Sequence, residues 1–251
     1  MGKAVAPRTV PGCGQCGTGL RVSSVDAATL AGKAAGPRQQ WTHARPLREE
    51  IASAAIQGTA AAASAAGLAY LVVRGWDRED DLGVAALIVY GATMVFSFLS
   101  SALYHGVQHE RLRHFLQQVD HCTIFLLIAG TYTPVALLPL RAHYGIALLV
   151  AIWSLAIFGI VLRLAYVRLF ERIAIPLYVV MGWLALGWGA PLYREVGLGT
   201  ILVMIAGGMS YTGGLLFYRW HSRAFSNLMW HVSVVIGGAW FFVATSRFLP
   251  G

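Results

Sequence analysis

The sequence predicts an all-α fold, a polytopic membrane protein built as a seven-transmembrane helix bundle. Three observations carry this. Of 251 residues, 57% are hydrophobic and 12% are charged, about half the charge of a soluble domain. Mean hydropathy is +0.62. The apolar residues also fall in long runs, without the alternation of apolar and polar positions that a barrel strand needs. Lipid is the main solvent of such a chain.

The runs follow in order. The first, near 52–73, is preceded by "RPLREEIASAAIQG" at 45–58, which mixes charge with small residues and reads as an interfacial amphipathic stretch. It ends at "RGWDREDD". The second, near 84–104, closes on "SALYH". The third, near 121–139, contains Pro134, which is expected to kink it and free carbonyls. The fourth and fifth lie near 145–162 and 173–190, the fifth ending at "YREVG". The sixth, near 197–217, holds "GGMSYTGG" at 207–214, where small residues let helices approach closely. The seventh lies near 228–246. Each approaches the roughly 20 apolar residues that cross a hydrocarbon core. The connections are short, so neighbouring helices are expected to be antiparallel. Trp76, Tyr144, Tyr193 and Trp220 stand near the ends, where an aromatic belt belongs.

Basic residues set the orientation. With the N-terminus inside, the tail and segments 105–120, 163–172 and 219–227 hold 14 Lys and Arg against 5 in the outer segments, which favours N-in/C-out. The net charge of +8 is then topology and attraction to anionic headgroups. No basic stripe with interleaved aromatics is present, so no nucleic-acid partner is expected. Residues 1–44 are rich in Gly, Ala and Pro and read as a disordered cytoplasmic tail ahead of a membrane domain over 45–251. Cys13-x-x-Cys16 in that tail is half of a zinc knuckle, a redox pair or an incidental spacing. Cys122 is a small apolar filler within a span.

The polar residues that remain gather at one depth. "SALYHGVQHERLRHFLQQVDH", residues 101–121, holds four of the eight histidines. Ser101 and His105, at the cytoplasmic end of the second run, are four apart and share a helix face. Asp120 opens the third run beyond a loop of about fourteen residues, and Asn227 and His231, again four apart, open the last. Imidazole is the commonest zinc ligand, and a catalytic zinc keeps three protein ligands and an open position. A carboxylate beside the metal-bound water can take or hold its proton, and Ser101 can orient water or a carbonyl. The plainer alternatives are Asp120 as a helix N-cap, Ser101 bonded back to the carbonyl of residue 97, and His109, His114 and His121 as interfacial residues.

"SALYH", "DHCTIFLLIAGTYTPVAL", "GGMSYTGGLLFY" and "MWHVSVVIGG" resemble the hemolysin III family, bacterial relatives of the progestin and adipoQ receptors, over roughly residues 45–246. The resemblance implies seven spans, a cytoplasmic-side zinc site and a candidate hydrolase activity on lipid amides or esters. Its metal ligands fall on His105, His231 and the position held here by Asn227. Asp120, as water-holder or direct ligand, and Ser101 are its candidate catalytic residues. Three departures stand out: Asn227 replaces a histidine, Ser53 and Gln57 replace the Asn and His of a first-span motif, and Phe241 replaces a further histidine. Neutral Asn is a poor zinc ligand. The expectation is therefore a weak or absent zinc, in either a zinc-dependent hydrolase or a non-enzymatic lipid sensor or cytolysin. The partners expected are membrane lipids and zinc, in the plasma membrane of a bacterium.

Overall fold

The computed structural model describes residues 46–220 and 225–249. The tail with Cys13 and Cys16 lies outside the described residues. Among those residues the chain forms α-helices and one 3₁₀ turn, with no strand. We number the helices α1 (Leu47–Trp76), α2 (Asp81–Gly106), α3 (Glu110–Leu137), α4 (Gly145–Ala165), α5 (Val167–Trp183), α6 (Gly189–Arg219) and α7 (Ser226–Ser246). Six helical stretches are long and apolar enough to cross a membrane. One of them is the continuous 167–219 segment that contains α5, the 3₁₀ turn Leu184–Trp188 and α6.

Three boundaries differ from those expected, for one reason: charge and polarity did not end the helices. α1 begins at Leu47, so the stretch 47–58 is continuous with the first span and not a separate lead-in to it. It is the first turns of α1, with Glu49, Glu50, Ser53 and Gln57 buried. α3 begins at Glu110, and the expected fourteen-residue loop shrinks to 107–109. "ERLRHFLQQV" contains no Gly or Pro and is made largely of strong helix formers. His109 Nδ1 accepts from the Leu112 amide at 3.5 Å, so His109 is the N-cap, and Glu110 complements the helix dipole. Asp120 lies well inside α3 and is not a cap. "YREVG" lies within α6, where the backbone leaves helical geometry only at Gly197 (φ 71°), a conformation open to glycine at little cost.

α1 packs on α2 and α7, α2 on α3, α3 on α4, α4 on α5, and α6 on α7. α3 also touches α5 and α7 and is the most enclosed of the membrane-length helices, with 61% of its most apolar stretch buried. One core gathers Leu87, Tyr90, Met94 and Phe98 of α2 with Leu71 of α1. The other gathers Phe125, Ile152, Tyr178 and Trp230 from α3, α4, α5 and α7. Outward positions such as Val73, Val150 and Leu202 are apolar and exposed, as lipid contact requires. "GGMSYTGG" acts as expected: Tyr211 stacks on Phe241 at 5.7 Å, and a side chain at Gly207 or Gly214 would strike α7. Two cavities of about 110 and 70 Å³ lie between α3, α5, α6 and α7 and share Thr131, Tyr132, Gly182, Gly208 and Phe241.

The turn before α2 is fastened by Asp80. Its Oδ1 accepts from the Gly83 amide at 3.0 Å and its Oδ2 from Arg141 at 2.7 Å. The Arg141 bond, then the Gly83 amide, hold the carboxyl below its ordinary 3.8. A depressed folded-state pKa stabilises above the ordinary value and is lost as pH falls through the folded one. Asp80→Ala is therefore expected to lower the thermal midpoint in detergent at pH 7, by an amount that shrinks as the pH is taken below 3.8.

Candidate functional site

At the end of the bundle where α2 finishes and α1, α3 and α7 begin, five side chains form one continuous hydrogen-bonded row. Glu50, Ser53 and Gln57 recur at i, i+3 and i+7 and share a face of α1. Glu50, Ser53, Gln57, Ser101, His105 and His231 are each no more than 4% exposed. Arg113 of α3 donates from Nη2 to Glu50 Oε1 at 2.7 Å, and Glu50 Oε2 lies 2.6 Å from His105 Nδ1. His105 Nε2 lies 2.8 Å from His231 Nε2, and His231 Nδ1 lies 2.6 Å from Gln57 Nε2. The two imidazoles meet nearly edge to face, with centroids 4.7 Å apart. Arg113 also covers the Tyr104 ring at 5.5 Å, which closes the row towards the end of the bundle. Glu49 reaches elsewhere: its Oε2 accepts from the amide of Phe225, the residue before α7, at 3.3 Å.

Donor chemistry gives the row a direction. An amide nitrogen only donates, so His231 Nδ1 accepts and the ring proton of neutral His231 sits on Nε2. That N–H donates to His105 Nε2, which must be bare. His105 Nδ1–H then donates to the Glu50 carboxylate. Every contact is thus a donor facing an acceptor, and the one full negative charge meets Arg113. Burying a carboxylate is costly unless it is paired in this way.

Four buried polar atoms around the row have no partner: Ser53 Oγ, Gln57 Oε1, Ser101 Oγ and Asn227 Nδ2. Ser101 does not bond back to residue 97; its neighbour Ser100 does, at 2.9 Å, and also meets Thr123 at 3.0 Å. The three i, i+4 pairs Ser53/Gln57, Ser101/His105 and Asn227/His231 each place one member in the row and one beside it. Asp120 is half-buried in α3 and lies within electrostatic reach of Tyr178 of α5. His121 bonds its own helix, with Nδ1 2.6 Å from the Gln117 carbonyl. Cys122 is a free, half-buried thiol.

A zinc site in this class needs three protein ligands with lone pairs aimed at one point. His105 and His231 do aim Nε2 at one point, and Glu50 behind His105 is the outer partner that a metal-bound imidazole commonly keeps. The His231 proton occupies that point, however. No group of three or more His, Cys, Asp or Glu among the described residues is placed to hold a metal ion. As arranged, this donor set does not fit a resident zinc. The residues that sequence reasoning missed, Glu50 and Arg113, were marked by two adjacent glutamates opening an apolar run in a chain poor in charge.

A helical bundle of membrane-spanning length, with a buried ionic and imidazole row at one end, defines a polytopic integral membrane protein with an internal polar site. Its family follows from comparison. Residues 47–245 match the family described as "Haemolysin-III related". The chain is 36% identical over 193 residues to the "Hemolysin-3 homolog" of Bacillus subtilis (strain 168), covering 77% of this chain and 90% of that protein. It is also 36% identical over 196 residues to "Hemolysin-3" of Bacillus cereus, covering 78% and 90%. The chain belongs to the hemolysin III family, and with its bacterial relatives it is an integral protein of the plasma membrane.

Proposed function

We propose that this chain is a seven-span, N-in/C-out member of its family that works as a lipid-responsive membrane protein through a cytoplasmic-side polar site, and that it holds zinc weakly. The seven-span count is supported by length. A single helix of 53 residues would reach about 80 Å at 1.5 Å per residue, far beyond a hydrocarbon core of roughly 30 Å. The 3₁₀ turn and the non-helical Gly197 interrupt the 167–219 segment, which supports reading it as two passes. The 14 to 5 excess of basic residues supports the orientation.

One observation carries the functional reading: the His105 and His231 nitrogens that would hold a metal are spent on each other at 2.8 Å. Asn227, one turn before His231, offers an unpartnered amide where a third imidazole would stand. Lipid responsiveness is supported by the half-open pockets between α3, α5, α6 and α7, whose walls are almost wholly apolar and include Trp230, next to His231. Those walls count against a wide aqueous pore, so the lysis suggested by the relatives' names is the weaker reading. The zinc-dependent hydrolase of lipid amides or esters is kept as a second reading because Glu50 backs His105 as a metal's outer partner would. A bound zinc would supply Lewis acidity to water or a carbonyl, with Ser101 and Asp120 as the candidate residues for that task.

Metal analysis of purified protein tests this. Wild type is expected to hold well under one zinc per chain, and Asn227→His to hold more. One zinc per chain in both would overturn the weak-site reading, and zinc content unchanged by His105→Ala would remove the site.

A further inference from the structure

We propose that Gln57 is a positioning residue that sets the tautomer of His231, and so decides whether the two imidazoles bond each other or present two lone pairs to a cation. The proposal deepens the weak-zinc reading and rests on it only for its metal-binding arm. It begins from the shortest contacts in the site. Gln57 Nε2 lies 2.6 Å from His231 Nδ1. Because an amide nitrogen has no lone pair to offer, this contact fixes the ring proton on Nε2. There it is consumed by His105 Nε2 at 2.8 Å. His105 cannot yield in turn, since its Nδ1 proton is held by Glu50, itself held by Arg113.

The second observation is the other end of the same amide. Gln57 Oε1 is buried and has no partner, and Gln57 is 2% exposed. No hydrogen bond at the far end of the amide therefore holds it against rotation. A half-turn about the terminal bond places Oε1 against His231 Nδ1. An acceptor there requires Nδ1–H, so the ring proton leaves Nε2 and one proton is regained at Nδ1, with no change in net charge. His231 Nε2 is then bare, and His105 Nε2 already is. Two lone pairs directed at one point repel each other unless a cation lies between them. In one amide setting the pair is a closed hydrogen bond, and in the other it is half of a tetrahedral ligand set. Sequence alone marks position 57 only as a departure from the family's histidine; its function comes from what its two amide atoms face.

The test uses the full-length protein in nanodiscs, ¹⁵N-labelled at histidine, with zinc as the probe. Long-range ¹H–¹⁵N correlation of the metal-free wild type is expected to give His231 as the Nε2–H tautomer and His105 as the Nδ1–H tautomer. Gln57→Glu, whose carboxylate can only accept, is expected to convert His231 to Nδ1–H and to tighten zinc binding on the order of ten-fold, the scale of outer-partner effects. His231 found as Nδ1–H in the wild type would overturn the proposal, and so would a tautomer unmoved in folded Gln57→Glu. The wild-type spectrum needs no variant to fold. If the tautomers are as expected and no variant binds zinc, the weak-zinc reading fails while the assignment of Gln57 stands.

Discussion

Glu50→Ala is expected to cost the folded bundle about 3 kcal/mol or more, the scale seen when one partner of a buried charge pair is removed. Glu50 is the junction of three helices: it belongs to α1 and binds His105 of α2 and Arg113 of α3. With alanine there, the His105 Nδ1–H points into a buried space with no acceptor, and an unsatisfied buried donor costs about 1–3 kcal/mol by itself. Arg113 loses its partner too, although its half-exposed side chain can turn to water. Arg113→Ala is expected to cost a similar amount, since it leaves the buried Glu50 carboxylate bonded to His105 but without its counter-charge. Reversible unfolding in mixed micelles measures both. A loss from Arg113→Ala far below that from Glu50→Ala would mean that the His105 bond alone compensates the buried carboxylate. Glu50→Gln gives a sharper comparison: its carbonyl oxygen can still accept from His105, so it should recover part of the loss while weakening the bond from Arg113.

This network shows why the site was only partly legible in the sequence. Composition and run length give the all-helical membrane class directly, because the lipid requirement acts on every residue of a span. His105 and His231 were found because imidazoles are rare in such a chain and the i, i+4 spacing with Ser101 and Asn227 falls at one depth. Glu50 was hidden by its place at the boundary of an apolar run, where a charged residue reads as a headgroup contact. Only the inward rotation of α1, fixed by its packing on α2 and α7, turns Glu50, Ser53 and Gln57 to the interior. Arg113 was missed because "HERLRHFLQQ" looks like a solvated linker, yet it extends α3 by eleven residues beyond the expected start. Local polarity was outweighed there by helix propensity and by a tertiary partner on another helix. Which atom faces which, the basis of the Gln57 inference, is a property of side-chain rotation that no spacing encodes.

The second large effect lies at the opposite end of the bundle and separates folding from function. Gly145→Ala is expected to destabilise the protein by about 3 kcal/mol, the upper range for overpacking, while leaving the His105–His231 row of the folded fraction unchanged. Gly145 is the first residue of α4, directly after Tyr144 in the left-handed region (φ 62°), and its amide donates to the Leu140 carbonyl at 3.0 Å. A methyl group on its Cα would run into the Ala136 carbonyl oxygen and stand 2.7 Å from that of Leu140. Both obstacles are backbone atoms, so no change of rotamer relieves them; the α3–α4 turn itself must open. Gly213→Ala is the matched control. It lies in the interior of α6 with nothing within 4 Å of the added methyl, and alanine's better helix propensity should make it neutral or slightly stabilising. Thermal unfolding of the two variants reads the difference, and a Gly145→Ala protein as stable as Gly213→Ala would mean that the turn is not the rigid junction described. The turn carries Arg141 and His143, which reach Asp80 and Glu195 across the same end of the bundle. Its opening should therefore loosen the helix ends there, while the tautomers of His105 and His231, set from α1 at the other end, give the same ¹⁵N signature as in the wild type.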